Sequence, residues 1–390
     1  MSDQTALSSL LPEIAAAAAE TERLRRIDDS VIEGLERVGL FAMMRPRAHG
    51  GTEASPVDVF SQVREVSTSC ASTGWIAAVL SFSSWLLVRF GDQAMVDVWG
   101  NDPHAKIAGT YVPAGQLRAE DGGYRLSGRW QGVTGVQHCG WLIVGAFITN
   151  AEGILVEYAH ALVPTSAATM LETPRTAGLA AVSTHDVVVD DAFVPAHRVN
   201  PQSFHTSPDH SKYLRSVPAL YRHSISGLYC AAVTFPLIGA AQGAYAAVLD
   251  QWNVANAVPQ SNDRIADVQA LHMDLGRASF EIDTAALQVE RDLVDMHSLA
   301  VKSERVPTEV WARARRNQVL SVELLVSAAG RLLKMSGRRG LVYDHPLQRA
   351  WRDIHAGASN RANKDPDSVA LFARIALGYD VDRSETTPVI

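Results

Sequence analysis

Thr134, His138 and Cys139 offer a hydroxyl, an imidazole and a thiol within the run 128–141, which also holds four glycines and two tryptophans. Glycine adds no side chain to a sheet face and marks bulges or the close approach of another group. The run therefore reads either as a platform for something flat or as an edge strand with a bulge. A second dense stretch is 337–355. Gly337 and Gly340 permit a loop whose backbone lies close to a ligand, and Pro346 suits the first turn of a helix. Arg349, Arg352, Asp353 and His355 then share about two turns, where the alternative to a binding role is an ionic network bracing the helix. Arg264, just after Asn262 and Asp263, can hold an anionic group or stand as a solvated surface charge.

Other chemistries are not supported. The chain has no Gly-x-Gly-x-x-Gly after a strand and no Gly-x-x-x-x-Gly-Lys, so neither a nicotinamide dinucleotide site nor a P-loop is expected. No Gly-x-Ser-x-Gly elbow is present. Among 13 histidines, His205 and His210 fall in a loop without a helical His pair, and no Cys/His pair has ligand spacing, so no metal is expected. A net charge of -7 provides no basic footprint for nucleic acid. Three cysteines without a CxxC suit a reducing compartment and no disulfide framework.

These residues need elements to hold them. At 390 residues the chain exceeds one compact core, and two or three lobes are expected. From residue 6 to about 100 apolar residues recur at helical spacing, as in Leu7, Leu11 and Ile14, with breaks at 49–51 and near 91–92. Around Ile107 the period becomes two, and Asp121-Gly122-Gly123 marks a hairpin turn. Strands follow at 141–148, 154–163 and 185–189. Residues 200–223 read as a long ordered loop or lid. From Ile225 to about Leu377 the helical period returns, interrupted near 259–262, 307–308 and 336–337, which predicts a bundle of four or more long helices. Gly239 and Gly243 lie on one helix face and let another helix approach closely. The segment 15–26 is an amphipathic helix and not a signal peptide. The apolar stretches 75–90 and 231–247 are too short, or too rich in Ser, Gln and Gly, to span a bilayer. A soluble, cytoplasmic protein without membrane contact is expected.

Segments 39–51, 128–141, 187–195 and 337–353 together resemble acyl-CoA dehydrogenases, in the same order and spacing over nearly the whole chain. The resemblance implies an α+β, mostly α fold: an N-terminal helical domain (1–104), a central β-barrel-like domain (105–205), and a C-terminal four-helix bundle domain with its preceding loop (206–390). Such chains commonly assemble as homotetramers. A dehydrogenase of this type needs a carboxylate base a few residues beyond the Arg-Asp of the last motif. Here no acid follows Asp353 until Asp365. Segments 70–75 and 351–357 are instead similar to the oxygenase components of two-component flavin-dependent aromatic hydroxylases. Those take reduced FAD or FMN from a separate NAD(P)H-flavin reductase, add O2 to form a C4a-hydroperoxyflavin, and pass its distal oxygen to an electron-rich ring.

By matching positions, the resemblance implies that Thr134 meets flavin N5, with Gly132 and Gly135 beside it, Gly340 in the C-terminal flavin loop, and Arg264 on the flavin phosphate. Trp75, Tyr111 and Trp141 become flavin-edge or pocket walls, with a core position as the alternative for each. His138 and His355 become the acid/base candidates, a structural role being the alternative for His138. Ser83 and Trp85 fall on the substrate side, and Asn360 beside them in a catalytic or orienting role. Phenol-hydroxylating relatives carry histidines where this chain has Ser83 and Asn360, so a simple phenol is disfavoured. A ring activated without full deprotonation, indole-like or fused, is expected instead. Competing readings are an N-oxygenase acting on an amine or amino sugar, an acyl-CoA dehydrogenase-type flavoenzyme, and a flavin-free scaffold.

Overall fold

The computed structural model describes residues 3–150, 152–172, 175–182, 185–203, 213–256, 269–379 and 381. Five helices come first: α1 (Asp3–Leu24), α2 (Asp29–Arg37), α3 (Pro56–Ser69), α4 (Ala71–Leu87) and α5 (Asp92–Trp99). Side chains fix where they begin. Asp28 accepts the Ser30 N–H ahead of α2, and Ser55 accepts the Asp58 N–H ahead of α3, whose first residue is Pro56. Every residue of α4 is buried, which is why its sequence is apolar on all faces.

Seven strands follow: β1 (Ile107–Glu120), β2 (Gly123–Val133), β3 (Trp141–Thr149), β4 (Leu155–Pro164), β5 (Thr169–Leu171), β6 (His185–Pro195) and β7 (Val199–Pro201). They form one sheet in the order β5-β6-β2-β1-β3-β4-β7. β1 and β2 make the expected hairpin, closed at Glu120 and Gly123 over Asp121-Gly122, with Gly122 at φ +77°. β1 and β3 run parallel and the other pairs antiparallel, so the sheet is mixed.

The edge-strand reading of 128–141 is corrected: β2 lies inside the sheet, between β6 and β1. Its bulges are present, as register shifts between Leu126 and Gly128 and between Trp130 and Val133. Gly128 has a packing role, because a Cβ there would stand 2.8 Å from the ring of Trp130.

The C-terminal lobe comprises α6 (Ile225–Asn256), α7 (Gln269–Val301), α8 (Thr308–Met335), α9 (Pro346–Ala358) and α10 (Pro366–Ala376). α6 also packs on the first lobe. A Cβ on Gly239 would lie 2.2 Å from the Arg64 carbonyl oxygen, and one on Gly243 2.1 Å from that of Thr68, so both glycines admit the α3 backbone as expected. By length and hydropathy 71–90 and 225–253 could cross a membrane, contrary to the reading that they are too short or too polar. Burial explains them instead: the first is wholly enclosed and the second mostly so. Of the expected lid, 204–212 lie outside the described residues, as do the break at 259–262, His205, His210 and Arg264; the rest includes a helical turn at Ala219–Arg222.

Candidate active site

The end of β2 turns on two glycines. Gly132 stands at φ +65° and Gly135 at φ +72°, conformations that favour glycine. The Gly132 N–H is held by the Asp186 carboxylate at 3.3 Å, itself fixed by Arg129 at 2.7 Å. The Gly135 N–H bonds the Val182 carbonyl at 2.9 Å. Between them Thr134 forms a lone bridge to Gly109 and is half-buried, and no partner is recorded for its hydroxyl among the described residues. Nothing lies within 4 Å of where a Gly132 Cβ would be. A half-buried hydroxyl without a partner beside open space at a fixed backbone turn fits the edge of a flat cofactor.

His138 closes this turn differently. Its side chain is 1% exposed, its Nδ1 faces Asp29 of α2 at 3.6 Å, and its buried Nε2 has no partner. Burial, with Arg26 nearby, lowers its pKa to about 4. It is therefore neutral near pH 7 and joins the sheet to the N-terminal lobe, which favours the structural alternative over an acid.

A second cluster gathers four separate elements. Phe82 of α4, Tyr111 of β1 and Tyr229 of α6 meet edge to face, with centroids 5.1 Å (Phe82–Tyr111), 5.6 Å (Phe82–Tyr229) and 5.5 Å (Tyr111–Tyr229) apart. Phe82 and Tyr111 are buried; Tyr229 keeps partial access. Ser83 bonds the Tyr111 hydroxyl at 2.8 Å, and Asn360, just past α9, reaches the Tyr229 hydroxyl at 3.5 Å. On β4, Tyr158 donates to the Tyr111 carbonyl at 2.6 Å and, having one proton, accepts from His160 Nε2 at 2.6 Å. Burial lowers His160 to about 3 and raises both tyrosines, so the cluster stays neutral. None of these bonds involves a carboxylate.

Trp85 stands behind this cluster. It is fully buried, stacks on Phe82 at 5.5 Å, carries the Arg89 guanidinium at 4.6 Å and donates to the Leu220 carbonyl at 2.9 Å. It braces Phe82. Trp75 is also buried, with its ring 3.0 Å from where a Gly357 Cβ would be, in the seam between α4, α6 and α9. Trp141 lies under Arg198 at 5.0 Å. Gly340 is held to glycine by packing, since a Cβ there would collide with Ser336.

α9 follows the bracing alternative at two of its residues. Arg352 pairs with Glu22 of α1 and donates to the Ala177 carbonyl at 2.8 Å, while Asp353 accepts the Leu179 N–H at 2.6 Å. His355 lies on Trp351 at 4.2 Å, and its Nδ1–H donates to the Trp351 carbonyl at 2.7 Å, with Nε2 as its other ring nitrogen. Tyr229, Tyr158 and His160 escaped the sequence reading, since no local pattern links positions this far apart.

The chain matches the family model "Acyl-CoA dehydrogenase, N-terminal domain" over residues 4–100 and "Acyl-CoA dehydrogenase, C-terminal domain" over 231–364. It is 34% identical to the flavin-dependent monooxygenase oxygenase subunit HsaA of Rhodococcus jostii over 96% of this chain and 98% of that one. It is also 34% identical to the oxygenase component of a FADH(2)-dependent resorcinol hydroxylase from a Rhizobium species, over 87% of this chain and 85% of that one. The crystal structure of a 3-HSA hydroxylase from Rhodococcus superposes with a TM-score of 0.93 at 31% identity, covering 99% of each chain. Helical lobes around a mixed sheet, with no acid where a dehydrogenase needs one, thus have full-length counterparts, and the chain belongs to the acyl-CoA dehydrogenase superfamily as an oxygenase component of its two-component flavin-dependent monooxygenases.

Proposed function

We propose that the protein hydroxylates an aromatic or heteroaromatic substrate, indole-like or fused-ring, with O2 and reduced FAD or FMN delivered by a separate NAD(P)H-flavin reductase. The observation that carries this is the fate of the carboxylates at and after the Arg-Asp of α9. Asp353 is buried on the Leu179 N–H, and Asp365 is paired with Arg315 at 3.0 Å, so neither is free to abstract an α-proton. Reduced flavin, when bound, supplies the activation of O2. Thr134 holds the N5 edge through its hydroxyl, and Gly132 and Gly135 keep the backbone against the ring. The aromatic cluster around Tyr111 excludes water and receives the substrate ring. His355, whose Nδ1 is engaged by the Trp351 carbonyl, is the acid/base candidate carried forward. A homotetramer is the assembly proposed.

Thr134→Val tests this reading. The variant is expected to bind reduced FAD in anaerobic titration, yet to raise the ratio of hydrogen peroxide to hydroxylated product roughly five- to tenfold, the worth of one hydrogen bond in a desolvated site. Unchanged coupling would refute the role of Thr134. A screen of indoles and fused-ring arenes with a generic flavin reductase tests the substrate class, and failure to oxygenate any ring would sink it.

A further inference from the structure

The protons around the aromatic cluster can be counted one by one. Ser83 has a single hydroxyl hydrogen, which goes to the Val79 carbonyl of its own helix at 3.0 Å. Its oxygen must then accept from the Tyr111 hydroxyl at 2.8 Å, so the Tyr111 proton is engaged. Tyr229 is different. The Ala362 N–H donates to Asn360 Oδ1 at 3.0 Å, which fixes the amide so that Nδ2, a donor, points to the Tyr229 oxygen at 3.5 Å. Tyr229 therefore accepts from Asn360 and keeps its own proton, with no acceptor recorded for it among the described residues. It is also the one ring of the three that retains access. Tyr111 and Phe82 hold its ring by their edges, so the hydroxyl is presented on a rigid support.

We infer that Tyr229 is the specificity-determining hydrogen-bond donor of the site, and that the substrate ring presents an oxygen acceptor to it, a carbonyl or a neutral hydroxyl, in preference to an N–H. This rests on the reading of the cluster as the ring-binding site and narrows it toward fused oxygenated arenes and away from indoles. Burial keeps Tyr229 protonated to alkaline pH, so its donation does not change across the physiological range. A donor that one ligand pairs and another leaves unpaired discriminates between the two.

The test measures binding to the full-length protein by calorimetry, without flavin, using four probes of similar size: α-tetralone, an acceptor; α-naphthol, acceptor and donor; indole, a donor; and naphthalene, neither. The wild type is expected to bind α-tetralone and α-naphthol about tenfold more tightly than naphthalene, with indole close to naphthalene. Tyr229→Phe removes the preference for α-tetralone and leaves naphthalene binding within about twofold, which shows the rest of the site unchanged. Asn360→Asp does the same without altering the ring, because its carboxylate takes the Tyr229 proton. Should Tyr229→Phe fail to fold, Asn360→Asp decides alone. Indole binding as tightly as α-tetralone, or a tetralone preference surviving in both variants, overturns the inference. If the ranking holds but adding reduced FAD and O2 oxygenates no ring, Tyr229 keeps this role and the oxygenase reading alone falls.

Discussion

Burial of the Asp353 carboxyl raises its pKa to about 7, even though the Leu179 N–H at 2.6 Å opposes the shift. In the unfolded chain the same group titrates near its ordinary 3.8. Between those values the folded protein holds a proton that the unfolded chain has released, so this residue's contribution to stability declines as pH rises from about 4 to 7 and is level above that. Asp353→Asn keeps an acceptor for Leu179 and removes the titration. Urea midpoints of the variant and wild type should diverge in the variant's favour from pH 4 to 7; parallel curves would contradict the assignment. His138, His160 and His223, lowered by burial to about 4, 3 and 3, act in the opposite sense and cost stability as pH falls below their ordinary range. They are common to both proteins and cancel in the difference. At this scale the sequence marked Thr134, Ser83 and Asn360 by position, but the bonds that define them are made to Gly109, Tyr111 and Tyr229. Three-dimensional neighbours supply those partners, and no spacing rule reaches them.

Helix α6 shows what a local pattern can and cannot convey. Gly239 and Gly243, four residues apart, announced a close helix contact, and the α3 backbone occupies it. Gly243→Ala should therefore destabilise by about 2 kcal/mol, since overpacking against the Thr68 carbonyl outweighs the roughly 1 kcal/mol that alanine gains in helix propensity. Gly330→Ala in α8 is the control: nothing lies within 4 Å of its Cβ position, and the same substitution should stabilise by about 0.5–1 kcal/mol. Equal effects at both sites, read from urea midpoints, would mean that helix propensity and not the α3 contact governs Gly243. The strands are the counterexample. Glycine content correctly signalled bulges in β2, yet left an edge position open as an alternative, because strand order depends on β6 returning some fifty residues later. Periodicity reports which face is buried; it does not report which strand lies alongside.

On the whole molecule, one unpartnered feature among the described residues is a stripe along α7. Met273, Phe280, Leu287, Val294 and Val301 recur every seventh residue and are all exposed, although the rest of the helix packs normally. The stripe runs about 42 Å at the rise of an α-helix, with one exposed apolar side chain every two turns and Arg277, Asp283, Glu290 and Arg291 between them. Phe280 itself lines a groove together with Met273, Gly276, Leu324 and the charged Arg277, Glu281 and Arg331. Gly276 has open space where a side chain would be, so a projecting ring and a socket lie one turn apart on the same surface. Charges of both signs beside an apolar seam suit a second copy turned about a twofold axis, since each residue then meets its complement. The sequence did not show this surface, because an exposed apolar position and a buried one look alike until the helix has a place. Phe280→Asp tests it by removing the projecting ring and adding an unpaired charge to the seam. Light scattering after gel filtration should give a smaller mass for the variant than for the wild type at equal concentration, with an unchanged far-ultraviolet spectrum. An unchanged mass would show that any assembly of the chain uses another face.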